Sequence, residues 1–266
     1  MPDRTPARPW QGFRAHFESN ALRPFPALEP EAGNRTRPPD NQHTIRRGKA
    51  RRAVAAVLAR FQLGEAGEGR IAHEIDRVSV PGVDDDYRAA LKLFVKEEGR
   101  HARILAGIVK ACGGTLLRAK ASNHLFRSAR RLLGVRFKVL VLLIAEVVGG
   151  VVYEALERTA LVKGASRALR EIANDERAHL RFHAAFVGQQ PPLWRALLRP
   201  AFWSVGLCAV LVVLFENLAD FRRMELSPLA LARDLLRELR RADRVAFAPA
   251  PVRTPDFASV PLGEPS

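Results

Sequence analysis

The chain has 266 residues, 47% of them hydrophobic, which is enough for one sizeable domain with appendages. Its two cysteines, Cys112 and Cys208, form no Cys-x-x-Cys motif, which argues against a disulfide framework and against a zinc ribbon. The formal charge of +15 comes mostly from arginines spread over every predicted helix, without a nucleic-acid-binding motif, so we expect no nucleic-acid partner. The N-terminus lacks the apolar core of a signal peptide, so we expect a cytoplasmic protein.

The first part of the chain, residues 1–44, is a Pro- and Arg-rich extension in which most of the backbone is expected to be irregular. One stretch departs from this pattern, because Trp10, Phe13 and Phe17 recur at a helical spacing. These rings either anchor the stretch on the following domain or belong to a disordered tail. The sequence leaves both alternatives open.

Residues 45–190 carry four long segments with helical periodicity and form the predicted central domain. Thr44 is a candidate cap for the first segment, Pro81 and Gly82 break the chain after it, and Asp84–Asp86 suit the start of the second. The predicted helices span about 45–78, 84–113, 129–162 and 166–187. The long connection between the second and third predicts an all-α fold, a four-helix bundle of two hairpins joined by a crossover.

Residues 191–245 are expected to add C-terminal helices that pack on the bundle. The run Ala201–Phe215 has fifteen uncharged residues, which is short for a membrane span, so we expect a buried fifth helix; a transmembrane or re-entrant segment is the alternative. Ser227 and Pro228 open a basic amphipathic helix that either packs on the domain or lies on a membrane surface. Residues 246–266 form a Pro-rich tail.

Two histidines share a feature that the other five lack, a glutamate three residues before them. The two pairs are Glu98-x-x-His101 and Glu176-x-x-His179. Residues three apart leave the same face of an α-helix, so each pair brings a carboxylate and an imidazole together as two ligands for one metal ion. By chance alone such pairs also occur on helix surfaces, so the pairs acquire weight only together with further ligands.

Two more glutamates complete the predicted set. Glu146 is the only charged residue between Val139 and Tyr153, where an unpaired carboxylate would cost several kcal/mol or take up a proton. The first helix offers Glu65 and Glu68. Glu65 is the preferred ligand because it lies more symmetrically about the turn, while Glu68 repeats the thirty-residue spacing between Glu146 and Glu176.

With these residues the chain resembles the ferritin-like superfamily of di-iron carboxylate proteins, which includes rubrerythrins, bacterioferritins, acyl carrier protein desaturases and arylamine N-oxygenases. The resemblance covers roughly residues 44–187. It implies a centre of two iron ions, or of one manganese and one iron, because the same ligands serve both. It also implies that Glu98 and Glu176 bridge the two metals and that Glu146 and Glu65 (or Glu68) are the terminal carboxylates. His101 and His179 would each bind one metal.

The acid before each bridging glutamate, Asp175 or Glu97, matches residues that in this superfamily accept a hydrogen bond from a ligand imidazole; the alternative is a solvated helix acid. Tyr153 and His183 are candidates for lining a substrate cavity, or ordinary core residues.

The resemblance and the apolar third and fifth segments favour an oxidase or oxygenase that activates O2 and acts on a small or lipophilic organic substrate, with an external electron donor. A ferroxidase, iron-storage or peroxide-scavenging protein is the second hypothesis, although no Cys-rich electron-transfer domain is present. A metal-free scaffold or membrane-associated bundle is the third. A homodimer and a peripheral membrane association are both compatible with the sequence.

Overall fold

The structure is a computed structural model and describes residues 9–28, 41–66, 69–117, 134–159 and 162–248. In these residues the regular structure consists of eight α-helices and one 3-10 helix, Ile75–Arg77, so the all-α prediction is confirmed. The α-helices are α1 (Pro9–Ala21), α2 (Asn41–Glu65), α3 (Gly69–Glu74), α4 (Asp85–Ala111), α5 (Gly134–Glu157), α6 (Ala165–Gly188), α7 (Pro192–Arg223) and α8 (Pro228–Ala246).

The helices pack largely as the two predicted hairpins. Helix α2 lies against α4, α5 lies against α6, and α4 also contacts α6. Helix α4 starts where the acids predicted it, because the carboxylate of Asp84 accepts a hydrogen bond of 2.8 Å from the backbone N–H of Tyr87. Helix α8 packs across α5, α6 and α7, which closes one side of the core.

The first predicted helix was wrong in its bounds. Helix α2 begins at Asn41, so Thr44 lies inside it rather than capping it, and it ends at Glu65 rather than continuing to Val78. Gly64, Gly67 and Gly69 fall close together here, and glycine destabilises a helix interior by about 1 kcal/mol per residue. The chain therefore resumes as the short helix α3.

The third predicted helix ends at Glu157, five residues before the predicted Val162, and the fourth agrees with α6 within one residue at each end. The predicted crossover and the predicted start of the third helix fall mostly on residues 118–133, outside the described residues. Most of the predicted C-terminal tail also lies outside them.

The N-terminal stretch is anchored rather than loose. In α1 the side chains of Trp10, Phe13 and Phe17 are at most 1% exposed and pack against α4 and α6. The ring of Phe182 contacts all three of these rings at centroid distances of about 5.5 Å, in edge-on or steeply inclined geometry. An aromatic wall therefore covers one side of the helices that carry the Glu-x-x-His pairs.

Helix α7 differs from its prediction in length and in burial. It has 32 residues, with Pro200 inside it, instead of the fifteen of the uncharged run. Its inner face packs on α2, α5 and α8, but its outer face is exposed. Two helices, α5 and α7, are long and apolar enough to cross a membrane by composition; in the most apolar stretch of each, 78% of α5 but only 22% of α7 is buried in the protein.

Candidate metal centre

The two Glu-x-x-His pairs meet in the interior. Helix α4 supplies Glu98 and His101, helix α6 supplies Glu176 and His179, and one ligand atom from each of the four lies within 4.8 Å of the others. All four side chains are at most 3% exposed. Two separate helices therefore deliver the same motif, face to face, into one buried space.

The glutamate predicted on the third helix reaches the same space. Glu146 on α5 is buried, and its Oε2 atom lies 3.5 Å from Nδ1 of His179. Its other oxygen lies 3.5 Å from Nε2 of His183. Helix α5 runs close to α6 at this level, since a Cβ on Gly150 would be in van der Waals contact, at 3.5 Å, with Cβ of Glu176.

Of the two candidates on the first segment, Glu65 is the last residue of α2 and lies at the site, whereas Glu68 lies outside the described residues. Glu65 accepts a hydrogen bond from the hydroxyl of Tyr153 and shares one with Glu98. The structure thus brings Glu65 together with the four central ligands. It places the hydroxyl of Tyr153 beside the carboxylate of Glu65, to which it donates its hydrogen bond.

Several polar atoms at the centre are buried without a hydrogen-bond partner among the described residues. They are Oε1 of Glu98, Oε1 of Glu176 and Nδ1 of His101. Nδ1 of His101 lies 3.4 Å from Oε1 of Glu176, and Nδ1 of His179 lies 3.1 Å from Oε1 of Glu98. Buried polar atoms in proteins normally have partners, and a cation between these lone pairs would satisfy all of them. The residues present therefore fit a metal site.

The other nitrogen of each imidazole is held by an acid on the opposite helix. Nε2 of His101 lies 3.0 Å from Asp175, and Nε2 of His179 lies 3.1 Å from Glu97. With its hydrogen on Nε2, each imidazole donates to that acid and turns the lone pair of Nδ1 toward the centre. The structure thus places Asp175 beside the imidazole of His101 and Glu97 beside that of His179, in each case on the helix opposite the histidine.

One arginine joins these two acids. Nη2 of Arg23 lies 2.7 Å from Oε1 of Glu97 and 2.7 Å from Oδ2 of Asp175. Arg23 follows α1, in the extended stretch of residues 23–28, and its side chain is 30% exposed. Two buried acids side by side are costly without a counter-ion, so this guanidinium stabilises the pair.

The rest of this stretch is fixed to the same helices. Arg100 donates from Nη2 to the carbonyl oxygen of Pro24 at 2.8 Å, and its Nη1 pairs with Glu171 at 2.6 Å. The ring of Phe25 lies 5.3 Å from the guanidinium of Arg100. We call residues 22–28 the strap, since they cross α4 and α6 over the side where the imidazoles meet their acids.

The four central glutamates fall into two groups according to the direction in which their pKa values are shifted. Burial, and then the neighbouring carboxylate, raises the pKa of Glu65 and that of Glu146 well above the ordinary value. Burial also opposes ionisation of Glu98 and Glu176, but hydrogen bonds from Glu65 and Glu146, and from the imidazoles, outweigh it and lower their pKa values.

The imidazoles respond in the opposite direction to burial. Burial alone would lower the pKa values of His101 and His179, but the hydrogen-bonded carboxylates around them outweigh it, and both pKa values lie well above the ordinary value. The protein without metal thus holds protons at the centre.

His183 behaves differently. Burial, followed by the nearby His179, lowers the pKa of His183 to about 3, so this imidazole is neutral. Neither of its ring nitrogens has a hydrogen-bond partner among the described residues, and the ring of Phe94 lies edge-on at 4.7 Å. The side chain is packed at the edge of the centre.

Sequence reasoning missed Arg23, Arg100 and Glu171. Arg23 lies 74 residues from Glu97 and 152 from Asp175 in the chain, so no local pattern connects them. The aromatic spacing of α1 was the only available signal, because docking of this part of the chain on the domain was one of the two alternatives that it left open. Comparison with known proteins adds no further signal: no family model matches this chain, and no curated protein and no solved structure is similar to it.

Proposed function

We propose that this chain is a non-haem di-metal carboxylate protein of the ferritin-like type, with iron or iron and manganese, and that it is an O2-dependent oxidase or oxygenase for a small or lipophilic organic molecule. Glu98 and Glu176 are the proposed carboxylates shared by the two sites, His101 and His179 are the proposed imidazoles, one for each site, and Glu65 and Glu146 are the proposed single carboxylates. This assignment gives each metal one imidazole and leaves carboxylate oxygens as the majority donors, which suits Fe(II) or Mn(II).

The convergence of two Glu-x-x-His pairs in one buried space carries the proposal. In the described part of the chain Oε1 of Glu98, Oε1 of Glu176 and Nδ1 of His101 have no hydrogen bond of good geometry, and a metal ion would supply the missing partner. Nε2 of His101 lies within hydrogen-bond distance of Asp175, and Nε2 of His179 lies within hydrogen-bond distance of Glu97. An acid in this position orients an imidazole that binds a metal through its other nitrogen.

When bound, the two metal ions would supply the electrons that reduce O2. The protein residues have separate tasks. Asp175 and Glu97 hold the two imidazoles in orientation, and Arg23 donates a hydrogen bond to each of these acids. Tyr153 donates to Glu65 and thereby restrains a carboxylate at the end of α2, where the helix stops. The rings of Phe17 and Phe94 pack against His179 and exclude water from that side.

Metal content tests the first half of the proposal. Protein purified without chelator should contain about two metal ions per chain, and both Glu98→Ala and His179→Ala should lose them. Glu154→Ala and His73→Ala are matched controls, because these residues lie on α5 and α3 with exposed side chains and should leave the metal content unchanged. Metal-free parent protein, or metal retained in both ligand variants, would contradict the assignment.

Oxygen uptake tests the second half. Protein loaded anaerobically with Fe(II) should consume O2 in an oxygen electrode, and His179→Ala should not. Metal binding without any O2 uptake would leave a metal site without the proposed chemistry. A large hollow assembly in gel filtration, together with uptake of iron far beyond two ions per chain, would favour the storage hypothesis instead.

A further inference from the structure

Helix α7 presents a continuous apolar strip on its outer side. The strip consists of exposed aliphatic and aromatic side chains at roughly helical spacing: Leu193, Leu197, Leu207, Leu211, Val212 and Phe215. Residues 200–215 between its charged ends include no charged residue. At about 1.5 Å per residue, the strip is about 33 Å long.

The exposure of the strip is high for the described part of the chain. Phe215 is 84% exposed and Leu211 is 67% exposed, while Phe202, Gly206 and Val210 on the inner side are buried. The inner side already has its packing partners, including Leu239 of α8, whose Cδ2 would lie 3.0 Å from a Cβ on Gly206. Contiguous exposed apolar surface of this length marks an interaction site.

Charged residues lie at both ends of the strip, most of them arginines. Arg195 and Arg199 lie near its start; its end is followed by the exposed Glu216, whose charge opposes an anionic surface, and then by Arg222 and Arg223. The neighbouring α8, which contacts α7 through the ion pair of Arg199 with Asp243, adds a row of exposed arginines on its own outer side: Arg233, Arg237, Arg240, Arg241 and Arg244. An apolar strip between arginines is the arrangement of a helix lying in a membrane interface, where the guanidinium groups reach anionic headgroups.

We infer that α7 docks the protein on an anionic lipid bilayer, with the strip immersed and the helix parallel to the membrane plane. The net charge of +15 attracts an anionic surface and repels a second copy of the chain, so charge favours lipid over a dimer as the occupant. The proposal does not depend on the metal centre.

The inner side of α7 determines that the helix lies on the membrane and does not cross it. Arg60 of α2 donates to Asn217 at 2.8 Å and to Asp220 at 3.1 Å, and both of these α7 side chains are buried. Moving α7 out of the domain to span a bilayer would break this network and expose the apolar faces of α5 and α8. In-plane docking leaves all of these contacts in place.

Flotation with vesicles tests the proposal on the full chain. The parent should float with vesicles of equal parts phosphatidylcholine and phosphatidylglycerol, less at high salt, and far less with phosphatidylcholine alone. Leu211→Asp and Phe215→Asp should each reduce the partition coefficient by at least about tenfold. Leu116→Asp is the charge-matched control, since Leu116 is an exposed leucine outside α7 and outside the strap, and it should float like the parent.

Three results would overturn the proposal: no flotation of the parent with anionic vesicles, equal flotation of parent and Phe215→Asp, or a parent dimer that Phe215→Asp converts to a monomer without any vesicle binding. Metal content measured on the same preparations separates this test from the proposed function. Both α7 substitutions should leave it at the parent value, because they alter exposed side chains only.

Discussion

Replacing Arg23 by methionine should both destabilise the protein and weaken metal binding at the proposed centre. Methionine keeps the aliphatic length of the side chain but removes the guanidinium that lies 2.7 Å from both Glu97 and Asp175. Those acids are about 5% exposed, so water cannot replace the lost donor fully. Breaking a buried ion pair costs about 3–5 kcal/mol, and because part of Arg23 reaches solvent we expect about 2–3 kcal/mol.

The metal should respond through the imidazoles. Without Arg23, Asp175 and Glu97 repel each other and hold His101 and His179 less firmly, so we expect metal affinity to fall by about 10–100-fold. Arg23→Lys should restore part of both losses, because an ammonium supplies the charge but not the planar fork. Urea unfolding of chelator-treated protein gives the stability, and competition with a chelator of known affinity gives the metal binding.

Arg14→Met is the control for a general effect of losing an arginine near α1. Arg14 pairs with Glu18 and Asp86 at the surface, where ion pairs contribute little, so its loss should leave both measurements unchanged. Equal effects of the two variants would refute the reasoning. So would an Arg23→Met protein that binds metal as tightly as the parent.

Three further predictions follow from particular contacts. Gly164→Ala should destabilise the protein by more than Gly134→Ala: both glycines have positive φ, a strain of about 1–2 kcal/mol for alanine, but only at Gly164 would a Cβ also lie 2.1 Å from the carbonyl oxygen of Ala27 in the strap. Urea unfolding compares them, and equal losses would contradict the strap contact. His183→Leu should make the free energy of unfolding less sensitive to acid. The pKa of His183 is about 3 in the folded protein, so as the pH falls below the ordinary histidine pKa only the unfolded chain takes up a proton at this residue, which favours unfolding. Between pH 8 and pH 5.5 the parent should lose about 1.4 kcal/mol relative to the variant, measured by urea unfolding at both pH values, and parallel curves would disprove a neutral His183. Finally, adding Mn(II) to chelator-treated protein at neutral pH should release protons, because the pKa values of Glu65, Glu146, His101 and His179 are raised in the metal-free protein; a pH indicator in weak buffer measures the release.

The positions of the central ligands could be predicted because they depend on local geometry. On a helix, a spacing of three residues fixes the relation of Glu98 to His101 whatever the rest of the chain does. The stranded charge of Glu146 likewise needed only its own apolar run as evidence. The two Glu-x-x-His pairs and Glu146 therefore met where the sequence placed them.

The remaining features depend on contacts between distant parts of the chain. Arg23 reaches Asp175 only because the aromatic rings of α1 dock first, and nothing in the local sequence encodes the direction of the strap. Two opposed effects determine whether the helix continues beyond Glu65. The nearby glycines lower the helix propensity, whereas a longer helix would gain tertiary packing. The apolar composition of α7 is the same whether its outer face is buried or exposed. Composition alone predicted a buried helix, and for the outer face this prediction was wrong.

The charges at the centre explain why we expect the chelator-treated protein to stay folded. The four carboxylates of Glu65, Glu98, Glu146 and Glu176 would balance two divalent cations. Without metal, the raised pKa values of Glu65, Glu146 and the two imidazoles make these groups hold protons to a higher pH than usual, which offsets negative charge in the same space. Metal uptake then exchanges protons for cations and leaves the packing of α4 against α6 intact. Unfolding on chelation would show that this balance is wrong, whereas metal affinity that falls steeply as the pH drops below neutral is its direct consequence.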